Sequence, residues 1–542
     1  MATSTVPFPV NTSALPLHFL YEDEMGKLKV STNLPSNAEV HAVGKYNASG
    51  MDLGWDYLEV EPLQGSGRPY YSAGFLEGVL TADQIELYAN FDISQYKPAV
   101  ISWMQEQYTW TRSKVAAEAG ESRFWASVGN IMAQMEGLAD GYNHAKHTNI
   151  TSFQMYVVNL GPEVGDIDIA VRVASGELSK EAMLPLSEMR GKGHCSGFIR
   201  ATHDNLYMGH NTWTSYVLLA YRIYKVYKFD PFTITQSSHP ATISSGDDWY
   251  QSSSGLGVQE TTNFVFNTSL YTSVVPHTVA EFIRVMAATF TATKGQEWVE
   301  FFEMYNSGTY NNQYMVVDFK KYAPGSTIVP GTLWIAEQTP GYIHSGDVSD
   351  QLNEHGYWAS YNIAYWWDIY TISGYENMKQ QQGNFWSHGK SARPEIFRRN
   401  ETMVTDLASM MRMMRYNNFQ NDDLSIIPNC SEATNNQCDP SHSSMLTISA
   451  RGDLLTVYNT TAENKAHYGV LYDMVSQGCF GAIDAKIAAW SNRYNLKSYV
   501  VSGPTNDQQP TFTWGDGCCR GQTAPRNSPQ TYDFPWVEFE FN

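Results

Sequence analysis

The stretch Gly191 to Trp213, "GKGHCSGFIRATHDNLYMGHNTW", constrains the fold more than any other. Two alternating apolar runs, "CSGFIRAT" and "NLYMGHNTW", flank the turn-like "HDN" and predict a β-hairpin. "QYMVVDFKKY" and "GTLWIAEQTPGYI" read as further strands. Helical runs stand apart from these. Phe124, Trp125, Val128, Ile131, Met132, Met135 and Leu138 repeat at helical spacing across 122–140. Residues 278–290 and Thr405 to Met414 are helical as well. "FLEGVLTADQIELYAN" reads as a helix, with Thr81 as N-cap and Gln84 at the capping-box position. Strands joined as hairpins with separate helical runs indicate α+β layers, not a doubly wound sheet.

A thiol, Cys195, opens the hairpin, and the next cysteine along the chain is Cys430. Before it, from about 161 to 194, the chain turns small, polar and charged, which marks an exposed, cleavable segment. Three readings of Cys195 compete with a special nucleophile. It fits G-x-C-x-G, a nucleophile elbow with cysteine for serine. The elbow needs an apolar strand before it and a helix after it, whereas "SEMRGK" and "FIRATH" supply neither. A papain-like site lacks its local signature. A disulfide to the distant cysteines is open to it, and an inert buried thiol is the ordinary fate of a lone cysteine. In the fourth reading Cys195 becomes an N-terminus when the His194–Cys195 bond is cut by the thiol itself. One residue then supplies a nucleophilic sulfur and an α-amine of pKa ~8 to take its proton.

The net charge is −20, from 35 basic and 55 acidic residues, which argues against nucleic acid as partner. With 42% hydrophobic and 17% charged residues there is material for a large core. No apolar run reaches the ~18–20 residues of a membrane helix, and the first residues do not read as a signal peptide. Asn-x-Ser/Thr acceptors nevertheless occur at Asn11, Asn47, Asn149, Asn267, Asn400, Asn429 and Asn459. With the clustered cysteines they indicate a lysosomal or secreted protein whose signal peptide has been removed. Cys430 and Cys438 can close a short loop, and Cys479 can reach Cys518 or Cys519, the pairing being open. His144 and His147 have ligand-like spacing without a thiol or carboxylate motif beside them, so no metal and no cofactor is expected.

The chain resembles the phospholipase B-like family, the lamina ancestor relatives among the N-terminal-nucleophile hydrolases. The resemblance is carried by "GWDYLEVE", "AGFLEGVLT", "HCSGFI", "GHNTWTSY", "SSGLGVQETTN", "NSGTYNNQYMVVDFKKY", "YWASYNIAYW", "RPEIFRR", "ISARGDL" and "SGPTNDQQPTFTW". It implies an αββα sandwich of antiparallel sheets between helical layers. It also implies a precursor that clips itself at His194–Cys195 into fragments 1–194 and 195–542, which remain one globular unit. Cys195 is then the implied nucleophile. His210 and Trp213 are implied to frame it, Thr262 (or Thr261) to place a hydroxyl nearby, Asn362 to donate to an oxyanion, and Arg393 to be the charged partner. Asn311 and Asn312 read as scaffold. The implied activity is lumenal hydrolysis of an acyl ester or amide, with a lipid as the named substrate class and a homodimer as the assembly. The rivals are an amidase or peptidase of the same fold, and a self-processed lipid- or glycan-binding protein without turnover.

Overall fold

The structure, a computed structural model, describes residues 6–63, 67–184, 194–427, 441–455, 478–515 and 523–540. Among these, two sheets carry the molecule. The larger has eleven strands, in the order Tyr342–Asp347, Leu333–Thr339, Asn312–Asp318, Leu256–Thr262, Trp249–Ser252, Thr233–Ser238, Ile223–Lys228, Asp56–Pro62, Val40–Asn47, His18–Glu22 and Leu28–Ser31. All its pairings are antiparallel except that of Asp56–Pro62 with Ile223–Lys228. The smaller has eight, running from the edge strand Tyr357–Ser360 through His194–Ala201, Leu206–Ser215, Asp484–Ala489 and Ser498–Ser502. Chain from both sides of residue 195 is thus woven into the larger sheet.

The layer order follows from what packs on what. Between the sheets, Ile199, Met208 and Ala488 of the smaller meet Trp249, Met315, Val317 and Ile335 of the larger. The outer face of the larger sheet (Leu58, Val60, Tyr227, Val258, Tyr314) is covered by helices bearing Leu76, Met104, Trp125, Met135 and Met286. The outer face of the smaller (Phe198, Tyr207, Ile487, Val501) is covered by Ile369, Ile396, Phe397, Met410 and Met414. This is the expected αββα sandwich.

The 122–140 pattern becomes the helix Arg123–Lys146, capped by Ser122, whose hydroxyl accepts from Trp125 N. All seven residues of its apolar stripe are buried. Its packing against Pro69–Leu80 is close enough that a Cβ on Gly137 would sit 2.0 Å from Tyr71 O, and one on Gly141 2.1 Å from Phe75 O. The 278–290 and 405–414 expectations become Glu281–Thr291 and Leu407–Met414.

Two expectations need correction. The helix through Thr81 is two helices, Pro69–Leu80 and Ala82–Tyr88, and no capping box forms. The Thr81 hydroxyl donates back to Glu77 O at 2.8 Å, and Gln84 reaches Asp56 instead. Nor is 161–194 an exposed linker throughout. Val164–Ala174 is a helix that buries Ile167, Ile169, Ala170 and Val173, an apolar face diluted in sequence by Asp166, Asp168 and Arg172. Residues 185–193 lie outside the described residues. His144 and His147 are exposed, the first against Phe75 and the second ending its helix.

Candidate active site

Strand alternation decides which side chains can meet. Cys195 pairs with Thr212, Gly197 with His210 and His194 with Trp213. Cys195, Gly197 and Ile199 point one way, toward the larger sheet, where Met315 lies against Gly197. His210 and Thr212 share that face. Trp213 is one residue out of phase and packs on the opposite face with Met445, Ala450 and Leu455. His210 therefore stands beside the thiol, while Trp213 backs the strand from behind.

The Cys195 thiol is free and 0% exposed. Its Sγ lies 3.5 Å from Asp248 Oδ2. Sulfur, a His210 ring nitrogen and an Asp248 oxygen are all within 4.8 Å of one another, a spacing that would also admit a cation. Burial pushes the thiol well above its ordinary pKa, with the Asp248 and Glu260 carboxyls adding to the shift. Burial, then Lys486, holds His210 well below the ordinary imidazole range. Its Nε2 bonds Glu260 O at 2.8 Å, and because a carbonyl only accepts, Nε2 carries the hydrogen. His210 Nδ1 is buried without a partner.

The backbone of Cys195 is clamped from the other side. Its N–H donates to Asn362 Oδ1 at 3.2 Å, and its carbonyl accepts from Arg393 Nη1 at 2.6 Å. Arg393 Nη2 reaches Asn362 Oδ1 at 2.8 Å and Tyr361 O at 2.6 Å, and the guanidinium stacks over the Trp213 ring at 4.5 Å. Burial brings the Arg393 pKa down to about 9, the thiol opposing that shift. Asn362 follows Tyr357–Ser360 by two residues and sits in the left-handed region, φ 67°, a conformation asparagine tolerates better than most. Its Nδ2 donates to Thr262 O at 2.7 Å, which fixes the amide's orientation.

These contacts sit within a stretch, residues 42–539, that matches the phospholipase B family. The chain belongs to that family. It is 34% identical to phospholipase B-like protein B of Dictyostelium discoideum, over 90% of this chain and 84% of that one. It is 33% identical to phospholipase B of Crotalus adamanteus (92% and 88%) and 34% identical to phospholipase B-like 1 of Homo sapiens (92% and 86%). Against solved structures there is a slight likeness to a mutant conjugated bile acid hydrolase from Clostridium perfringens. Its TM-score is 0.25 at 12% identity, over 57% of this chain and 89% of that one.

In this phospholipase B family member, Cys195, His210, Asn362 and Arg393 come together. Thr261 and Thr262 support Asn362 from behind: the Thr261 hydroxyl meets Ser360 Oγ at 2.6 Å and Asn362 N at 3.4 Å, while the Thr262 hydroxyl is buried and unpartnered. Asn311 bonds Gly308 O and Asn312 bonds Tyr314, both as scaffold. Asp248 was not visible to sequence reasoning. It lies 53 residues from Cys195, in "SSGDDWY", where neither period nor spacing singles it out. Of the acceptor asparagines, Asn11 and Asn149 are exposed, and Asn47, Asn267 and Asn400 are half-buried. Asn429 and Asn459 lie outside the described residues, as do Cys430, Cys438, Cys518 and Cys519. Cys479 borders the cluster of Tyr216, Ile483 and Phe512. Among the described residues no helix is long and apolar enough to cross a membrane.

Proposed function

We propose that this chain is an acyl hydrolase whose nucleophile is Cys195, exposed as an N-terminus when the thiol cuts the His194–Cys195 bond. The observation that carries the reading is the clamp: Cys195 N on Asn362 Oδ1 and Cys195 O on Arg393. It fixes the nucleophile's backbone independently of the chain upstream, so the residue stays in place once that chain is released. The freed amine then takes the thiol proton as sulfur attacks an acyl carbonyl, and passes it to the leaving group. Asn362 Nδ2 keeps a second N–H beyond the one bonded to Thr262, and this is the donor assigned to the oxyanion. Such a donor contributes on the order of 10²–10³ in rate. Water then releases the acyl group from the thioester.

Family membership and the relatives' names support acyl esters of phospholipids as the substrate class. The acceptor asparagines on the surface support a lumenal, glycosylated protein of the lysosome or the secretory route, which we take to work as a homodimer. Incubation at pH ~5 followed by N-terminal sequencing should give two fragments, one beginning at Cys195. Acid quenching with a labelled phospholipid should leave the acyl label on that fragment. A Cys195→Ala protein that still splits after His194 overturns self-cleavage. A processed protein that acquires no label from phospholipid, amide or peptide substrates is the binding protein without turnover. A sedimentation run showing only monomer removes the dimer.

A further inference from the structure

Self-cleavage, on the reading above, faces a difficulty that later turnover does not. The amine that serves turnover is created by the cut. In the uncut chain Cys195 N is an amide nitrogen, its lone pair drawn into the His194 carbonyl, and it is not a base. It also donates to Asn362. The thiol, buried and held in its neutral form, needs another group to take its proton. We propose that Asp248, whose Oδ2 is hydrogen-bonded to Cys195 Sγ at 3.5 Å, is the catalytic base of the self-cleavage step.

The step balances without a co-reactant other than water. Asp248 Oδ2 takes the proton from sulfur as the C–S bond to the His194 carbonyl carbon forms. The proton goes on to Cys195 N as the C–N bond breaks, leaving a thioester and a free amine. Water hydrolyses the thioester, giving the His194 carboxylate and restoring the thiol.

The surroundings hold Asp248 for this. The Tyr310 hydroxyl donates to Oδ1 at 2.9 Å, leaving Oδ2 to the thiol. Asp248 has φ 62°, a left-handed conformation that aspartate and asparagine tolerate better than most non-glycine residues. The turn is fixed through Asp247, whose carbonyl accepts from Thr212 Oγ1 at 3.0 Å and Lys486 Nζ at 3.1 Å. The Asp247 carboxylate is held by Arg222 and His239. The titratable groups around Asp248 are Cys195, His210, Glu260, Tyr310, Lys486 and Asp247, with Tyr250 and Glu281 feeling its charge as well. Burial raises its carboxyl above the ordinary range, making its anion a stronger base than a surface aspartate. His210 is the rival, but burial holds its imidazole well below the ordinary range and it makes no hydrogen bond to the sulfur among the described contacts.

The test follows full-length chains from a radiolabel pulse at synthesis, scoring fragments over time. Asparagine tolerates the left-handed backbone as aspartate does, so Asp248→Asn removes the charge and keeps the turn. Loss of a general base slows such a step by about 10²–10⁴. Cleavage at least about 100-fold slower, with an unchanged melting temperature, is the expected result. Cleavage of Asp248→Asn at the wild-type rate overturns the inference while leaving self-cleavage intact. Cleavage of Cys195→Ala instead overturns self-cleavage itself. Should Asp248→Asn fail to fold, Tyr310→Phe decides: loss of the hydroxyl that aims Asp248 should slow cleavage about tenfold, and a wild-type rate overturns the proposal.

Discussion

At the scale of single residues, Arg393 does what no lysine can. Its planar fork satisfies Cys195 O, Tyr361 O and Asn362 Oδ1 at once. A lysine ammonium in the same space cannot span all three, and each buried acceptor left empty costs about 1–3 kcal/mol. Arg393→Lys on a Cys195→Ala background, where on the proposed self-cleavage every molecule is one chain, should lose about 2–4 kcal/mol in urea unfolding. With Cys195 present it should also slow processing at least tenfold, since the clamp no longer fixes the nucleophile. A lysine variant as stable and as fast as wild type would show the fork to be ornamental. The residues of this clamp were legible because they lie in long motifs that resemble a known family. What each one touches was not. Trp213 was expected beside the thiol, yet a strand's period of two sets it on the opposite face from His210. Asp248 escaped because only the tertiary fold brings it to Cys195.

At the scale of elements, strongly periodic segments were the readable ones. The hairpin of His194–Ala201 and Leu206–Ser215 forms around the foreseen turn, and the apolar stripe of Arg123–Lys146 is buried throughout. Helix ends were less readable, because the Thr81 hydroxyl can either accept from an N–H ahead of it, as a cap, or donate to the carbonyl behind it, and it does the second. Helix contact was unreadable, since it rests on glycines, which carry no apolar signal. Gly137 gives a sharp test of that contact. In an exposed helix, glycine to alanine gains about 1 kcal/mol. Here the new methyl would lie 2.0 Å from Tyr71 O, a backbone atom that cannot step aside alone. Gly137→Ala should therefore destabilise, by about 1–3 kcal/mol or more. Gly165→Ala, in the helix Val164–Ala174 with open space around its Cβ, should be neutral or slightly stabilising. Equal effects of the two in urea unfolding would mean that close approach does not matter.

At the scale of the whole molecule, the acidic composition acquires a direction. Part of the excess of carboxylates is not solvated but buried behind the larger sheet and beside the site. Burial raises Glu163 to about 7 and Glu281 to about 8, the Glu163 carboxyl adding to the shift of Glu281. Glu260 and Asp248 are raised as well. A carboxyl raised in the folded state is still protonated where its unfolded counterpart, near 4.5, has already ionised. Between those values the folded state binds more protons, so stability falls as pH rises through the folded pKa. The histidines oppose this lower down. His210 and His388 are depressed by burial, so below about 6.5 the unfolded chain gains protons that the folded one refuses. The carboxyl effect is therefore cleanest from pH ~6.5 to ~8. Across that window the melting temperature of the Cys195→Ala chain should fall by several degrees, and Glu281→Gln should flatten the slope. A melting temperature that rises with pH there, or a glutamine variant with an undiminished slope, would mean that these carboxyls do not set the dependence. The expected sign suits the acidic lumen proposed above: Glu163 and Glu281 stay neutral where the surface carboxylates begin to lose their mutual repulsion.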